Sequence, residues 1–238
     1  MEKSEFLHKI NKKMEKLDIC LNEKQLEQFF MYKDLLITWN EKMNLTAITQ
    51  KEDVYLKHFY DSLTISFDYD FKDQSLCDIG AGAGFPSIPL KIVYPDLKVT
   101  IVDSLTKRIT FLKHLSQVLN LSDVEAISAR AEEYALSHRE SFDIVSARAV
   151  ARLNILDELC LPLVKVGGYF ITLKGLKAKE ELAEARQGIV KLGGKVIKEV
   201  DFTLTDESDH RSNIYICKEK KTPIQYPRPF GKIKKKPL

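Results

Sequence analysis

Cys77-Asp78-Ile79-Gly80-Ala81-Gly82-Ala83-Gly84-Phe85-Pro86 ends an apolar strand-like run and opens a helical one. Glycines at alternate positions allow positive φ and let a ligand come close to the backbone. Pro86 suits a first helical turn, where its missing N–H is no loss. In an open α/β sheet the first strand–helix turn is where nucleotides bind. A dinucleotide fingerprint needs glycine at its first, third and sixth positions; counted from Gly80 the sixth is Phe85, so that pattern fails. The phosphate-binding P-loop fails as well, because no Gly-Lys pair follows. A glycine-rich turn without a ligand is the plainer alternative, and placement directly after the first strand argues against it.

Around this turn, strands and helices alternate. Strand-like runs are SLCDIGA (75–81), KVTIVDS (98–104), EAISA (125–129), FDIVSARAV (142–150), GGYFITLKG (167–175), KVIKEVDFTL (195–204) and NIYICKE (213–219). Helical patterns at 87–94, 106–120, 131–137 and 155–165 separate the first five, and 178–193 follows the fifth, ending at Gly193-Gly194. Such alternation predicts a mostly parallel sheet covered on both faces. Continuously apolar runs, VTIV and YFITL, suit strands buried on both sides. The last two runs are joined only by TDESDHRS (205–212), too short for a crossover helix, so they should pair antiparallel.

Residues 1–66 read as helical. Leu26, Phe29, Phe30, Leu36, Ile37 and Met43 recur at three- and four-residue steps, and Asn22 with Gln25 forms a capping box. A second helix is predicted over EDVYLKHFYDSLTI (52–65), with Asp53 near its start. The predicted organisation is a helical region over 1–66, the α/β unit over 67–218 and a basic, extended and partly mobile tail over 219–238.

Of 238 residues, 44% are hydrophobic and 30% charged, ordinary for a globular chain. No apolar run approaches the roughly 20 residues of a membrane span, and the N-terminus lacks a secretory apolar stretch. A cytoplasmic protein that needs no membrane is expected. The four cysteines lie far apart, so neither a disulfide framework nor a metal site is predicted, and Cys77 and Cys217 read as buried, inert thiols. The net charge of +3 conceals an asymmetry: residues 218–238 hold eight Lys/Arg and one Glu, leaving 29 cations and 33 anions elsewhere. Such a tail can neutralise phosphates or merely aid solubility.

Other candidate residues sit at strand ends. Asp103 closes the second strand 21 residues after Gly82, placed to accept from both ribose hydroxyls; its alternative is to cap the following helix. Ala131-Glu132 follows the third strand, where such folds contact an adenine ring, although Glu132 also suits a first helical turn. Arg148 and Arg152 end the fourth strand, either meeting an anionic acceptor or forming paired surface cations. His58 and Asp61 form either a dyad or a helix-surface hydrogen bond. The chain lacks both the Asp/Asn-Pro-Pro-aromatic motif of amino-group methylation and a Pro-Cys nucleophile; Cys160, followed by Leu161-Pro162, fits poorly. An acceptor with its own lone pair needs no general base, and orientation alone can then carry catalysis.

Asp-x-Gly-x-Gly-x-Gly after the first strand resembles the first motif of class I methyltransferases. Over essentially its full length the sequence resembles the glucose-inhibited-division protein B family, bacterial small-subunit ribosomal RNA guanine-N7 methyltransferases. The resemblance rests on Trp39 through Thr46, His58 through Ser62, Asp78 through Pro86, Val102 through Ser104, Arg130 through Glu132 and Ala147 through Ala151. It implies a Rossmann-like α/β fold with a seven-stranded, mostly parallel sheet and an antiparallel last strand behind an N-terminal helical extension. It also implies S-adenosylmethionine as cofactor, and methylation of N7 of one guanine in 16S ribosomal RNA, naked or within a small-subunit precursor, by a monomer. With the glycine motif, the implied cofactor set is Asp78, Gly80, Gly82, Phe85, Asp103, Ala131, Glu132 and Arg148. Asn44, His58, Arg148 and Lys174 are acceptor-side candidates; structural alternatives are a cap for Asn44, helix packing for His58 and an exposed strand-end cation for Lys174. The rival readings are a non-catalytic ribosome-assembly module, or a methyltransferase of small molecules or proteins.

Overall fold

Helix α1 (Glu23–Met43) starts at the expected capping box: Asn22 Oδ1 accepts from Gln25 N–H at 3.0 Å and Gln25 Oε1 accepts from Asn22 N–H at 2.9 Å. These details come from a computed structural model, which describes residue 15 and residues 19–46, 53–204 and 209–238. The rest of the predicted N-terminal helical region, and residues 205–208 of the polar stretch joining the last two strands, lie outside the described residues. The apolar stripe of α1 buries Phe29, Tyr32 and Leu36 completely. The predicted second helix forms with a wider winding: Val54–Tyr60 is π-helical and runs into α2 (Asp61–Leu63) and a 3₁₀ turn, Thr64–Phe67. Such π-turns often mark functional positions.

All seven expected strands are present: β1 (Ser75–Ile79), β2 (Lys98–Asp103), β3 (Val124–Ser128), β4 (Phe142–Arg148), β5 (Val164–Lys174), β6 (Gly194–Thr203) and β7 (His210–Lys218). The order is β3-β2-β1-β4-β5-β7-β6, with β7 antiparallel to both neighbours. Helices α3 (Ser87–Val93), α4 (Thr106–Val118), α5 (Ala131–Ser137), α6 (Leu153–Cys160) and α7 (Ala178–Lys191) connect the strands. The run predicted as helix at 155–165 stops at Cys160; a 3₁₀ turn holding Pro162 follows, and Val164 already belongs to β5.

Alternation along each strand feeds two cores. Leu76, Ile101, Ile144 and Ile171 face the side covered by α1, α3 and α4. Cys77, Val102, Val145 and Phe170 face the side covered by α5, α6 and α7. The parallel register pairs Ile79 with Val102 and Asp103 with Ser128, so strand ends line up along one edge of the sheet. Chain order reverses between β1 and β4, and a ligand crevice belongs at such a switch point.

The segment after β7, expected to be extended and partly mobile, folds back and packs on the body. Tyr226 and Ile233 are buried, and Phe230–Lys235 forms helix α8. Arg228 grips the wholly buried Glu158, with Nε to Oε1 at 2.8 Å, Nη2 to Oε2 at 2.6 Å and its backbone N–H to Oε1 at 2.8 Å. The Arg139 guanidinium donates to the carbonyls of Thr222 and Tyr226. Lys218 is wholly buried; burial lowers its ammonium pKa to about 8, and it donates to Leu161 O and Thr222 Oγ1. Composition conceals these anchors because one arginine and two apolar side chains outweigh the lysines around them.

Removing one partner of a buried pair strands the other charge. Arg228→Ala is expected to cost about 3 kcal/mol, seen as a drop in Tm of roughly 6–12 °C for a chain of this size. Glu158→Gln in the same background should recover part of the loss.

Candidate functional site

The crevice is a cavity of about 460 Å³, within the range of small-molecule sites. Its floor is the turn after β1. Gly80 N–H donates to Val102 O at 2.8 Å, which fixes that turn to β2. Gly80, Gly82 and Gly84 all have positive φ. A Cβ at Gly80 would lie 2.6 Å from Val150 Cγ2, and one at Gly84 2.7 Å from Ile88, so neither position has room for a side chain. Gly82 differs: a Cβ there would meet nothing within 4 Å, which leaves its backbone open toward the cavity. The Phe85–Pro86 peptide is cis, and Pro86 is the N-cap residue of α3.

Asp103 stands beside this turn, 3% exposed. Its Oδ2 accepts from Gly82 N–H at 3.2 Å and Arg108 Nη1 at 3.0 Å, and its Oδ1 from Leu105 N–H at 2.9 Å. The capping alternative is not met, because Leu105 is the N-cap residue of α4 and no side chain caps that helix; Oδ1 keeps one free acceptor direction. Ala131 and Glu132 open α5 on the same wall.

The opposite wall is aromatic and cationic. Phe85 stacks with His58 (centroids 4.3 Å apart, planes 11° apart) and with Tyr32 (5.4 Å, 14°), and the Arg148 guanidinium carbon lies 4.8 Å from its ring centroid. Arg148 donates to Asp61 Oδ2 at 2.8 Å, His58 Nδ1 at 3.1 Å and Lys57 O at 3.2 Å. Guanidinium only donates, so His58 Nδ1 is an acceptor and the ring proton sits on Nε2, 2.8 Å from Thr46 Oγ1. Burial, then the neighbouring Arg148 charge, depress the His58 pKa to about 3. The imidazole is thus neutral with both nitrogens engaged. His58 and Asp61 form neither the dyad nor the surface pair weighed from sequence; both are buried and bind Arg148 from consecutive turns.

Eight expected residues line this cavity: Gly80, Gly82, Phe85, Asp103, Ala131, Glu132, Arg148 and His58. Asp78 lies beneath it, wholly buried; burial raises its carboxyl pKa to about 7, and Oδ2 accepts from Ser87 N–H at 3.1 Å. Asp78 therefore secures the start of α3 rather than the cavity wall. Asn44 also lies off the lining, as the left-handed C-cap of α1 (φ 49°), its N–H donating to Asn40 O. Lys174 is not an exposed cation: it is buried, donating to Ala151 O at 2.8 Å and paired with Glu181 at 2.9 Å. Arg152 pairs with Glu180 and Glu184, both at 2.8 Å, and lies off the cavity lining, so it matches the ion-paired surface alternative while Arg148 alone faces the cavity.

Sequence reading missed Tyr32, Thr46, Arg108 and Phe230. Tyr32 lay within the α1 stripe, three residues after Phe29, but its hydroxyl donates to Ala83 O at 2.6 Å, a partner no local pattern names. Arg108 follows Asp103 by about one helical turn, a spacing that was available. Phe230 lay in the segment read as mobile.

The reversed β7, the glycine turn after β1 and the acid closing β2 define a class I methyltransferase. Among solved structures, a SAM-dependent methyltransferase from Aquifex aeolicus superposes with a TM-score of 0.51 at 18% identity, over 68% of this chain and 92% of that one. The YcgJ protein from Bacillus gives 0.54 at 14% identity, over 68% and 100%. These likenesses concern the fold. The model of the family described as "GidB: rRNA small subunit methyltransferase G" matches residues 25–209, and the chain belongs to that family. Relatives bearing the name ribosomal RNA small subunit methyltransferase G include one from Staphylococcus carnosus, 56% identical over 95% of this chain and 96% of its own. Another, from Oceanobacillus iheyensis, is 54% identical over 100% of both.

Because the folded state holds His58 neutral, protonation favours the unfolded chain below its ordinary pKa of 6.5. The His58 contribution is therefore complete above pH 6.5 and is lost as pH falls toward 3. Imidazole NMR should show His58 as the Nε2–H tautomer, untitrated at pH 5. In Arg148→Ala its pKa should move up; a wild-type ring that titrates near 6.5 would contradict this arrangement.

Proposed function

We propose that this protein transfers a methyl group from S-adenosylmethionine to N7 of a guanine in 16S ribosomal RNA, acting in the cytoplasm as a monomer on RNA or a small-subunit precursor. The observation that carries the reading is one cavity in which an open glycine backbone, a ribose-type carboxylate and an aromatic–arginine wall meet. The residues fit the cofactor. Gly82 leaves its backbone bare toward the cavity, and Asp103 Oδ1 has a free acceptor direction for a ribose hydroxyl. Oδ2 is held by Gly82 N–H and Arg108, which fixes the carboxylate plane at the cavity edge. Ala131 and Glu132 border the adenine end, and Phe85 with Arg148 the far end.

When bound, the cofactor supplies an electrophilic methyl carbon. The chain's task is then to hold donor and acceptor in line, since guanine N7 presents a lone pair and has no proton to lose. The neutral, doubly engaged His58 supports this: it has no free nitrogen to act as a base. Tyr32, Phe85 and Arg148 make that end rigid. Exposed cations at Lys232, Lys234, Lys235 and Lys236 on or beside α8 suit phosphate contact, which predicts salt-sensitive RNA affinity. Among the described residues no helix can cross a membrane and no group of His, Cys, Asp or Glu could hold a metal.

Methyl-labelled S-adenosylmethionine incubated with small subunits from cells lacking the protein should label a single guanine at N7. Asp103→Ala should weaken cofactor binding about 10–100-fold, the worth of hydrogen bonds to a charged group, while RNA affinity changes little. Equal loss of both, with the melting curve unchanged, would count against the assignment.

A further inference from the structure

We infer that Phe230 forms a wall of the cofactor pocket at its adenine end, and that residues 219–238 are a strap holding this wall in place. The inference rests on the reading that the 460 Å³ cavity takes S-adenosylmethionine. Phe230 lies outside the span matched by the family model, in a stretch whose composition suggests only a basic tail.

Phe230 lines the same cavity as Ala131, Glu132 and Leu159 and, like Ala129 and Ala131, packs against the core cluster that holds Leu159. It is half-buried, one side against the protein and the other facing the cavity. Both flanks are pinned. Upstream, Arg228 binds Glu158, the residue immediately before Leu159, so one ion pair delivers two pocket-lining side chains together. Downstream, Ile233 is wholly buried.

The position selects the base. Asp103, the ribose partner, closes β2, while Ala131 follows β3 at the sheet margin. A ribose at Asp103 therefore leaves the base on the β3 side, and Phe230 reaches the same cavity from α8, which packs on α6. A flat, weakly polar purine suits an aromatic side chain flanked by alanine and leucine, and Glu132 can meet its polar edge. The same short helix exposes Lys232, Lys234 and Lys235, so the segment that closes the adenine end also presents cations beside the pocket mouth.

Titration calorimetry with S-adenosylhomocysteine reads binding without turnover. Phe230→Ala should raise Kd about tenfold, the usual worth of one aromatic–base contact. Phe230→Tyr should keep wild-type affinity, and Phe230→Leu should fall between the two. Lys232→Gln/Lys234→Gln/Lys235→Gln should leave cofactor Kd unchanged. Adenosine alone should show the same dependence on residue 230. If Phe230→Ala melts early, the Phe-to-Leu and Phe-to-Tyr comparison still decides the matter. Unchanged Kd in the alanine and leucine variants, with Asp103→Ala impaired, would overturn the inference and leave the pocket assignment standing. Unchanged binding in Asp103→Ala as well would overturn both.

Discussion

A guanidinium at the end of β4 holds the site together. Arg148 has a side chain only 13% exposed, and a buried cation requires partners that satisfy its donors. Asp61, His58 and Lys57 O supply them, all from the π-helical turn and its continuation. That requirement draws the N-terminal region onto the carboxyl edge of the sheet. Once there, His58 stacks on Phe85 and touches Thr46, while Tyr32 reaches Ala83. The residues before the sheet are thus part of the crevice wall.

The segment Trp39 through Thr46 serves the same end. Trp39 stacks on His114, Asn44 reverses the chain in a left-handed conformation, and Asn40 Oδ1 accepts from Thr46 N–H at 2.8 Å. Lys107 Nζ caps the end of α1 by donating to Met43 O. These contacts deliver Thr46 to His58. On the other side of the turn, Ala149 holds φ 57°, an uncommon conformation for alanine that accompanies Val150's seat against Gly80. The crevice is set by backbone constraint and buried pairing, which suits chemistry that depends on orientation.

The sheet was legible because its signals are local. Alternating apolar runs, the glycine turn and the Asn22–Gln25 box each lie within a few residues, and each forms as read. Site residues at strand ends were legible for the same reason, since parallel register lines those ends up. Pairings between distant residues were hidden: Tyr32 with Ala83, Asp61 with Arg148 and Glu158 with Arg228. Exposure was harder still. Lys174, an acceptor-side candidate or exposed strand-end cation by sequence, is buried against Glu181. For Arg152 the sequence leaves an anionic acceptor and a paired surface cation open, where two glutamates one turn apart on α7 claim it. The tail misled for a related reason: lysines dominate its composition, while its position is decided by Tyr226, Arg228 and Ile233.

The pocket lining reaches from Leu45 to Phe230 along the chain. During synthesis at about 5–20 residues per second, those two positions emerge on the order of ten seconds or more apart. The central strands can pair earlier, but the crevice gains its last wall only when α8 docks. A nascent chain halted inside the sheet, or just after β7, has the glycine turn and Asp103 without Phe230 to complete the crevice around them.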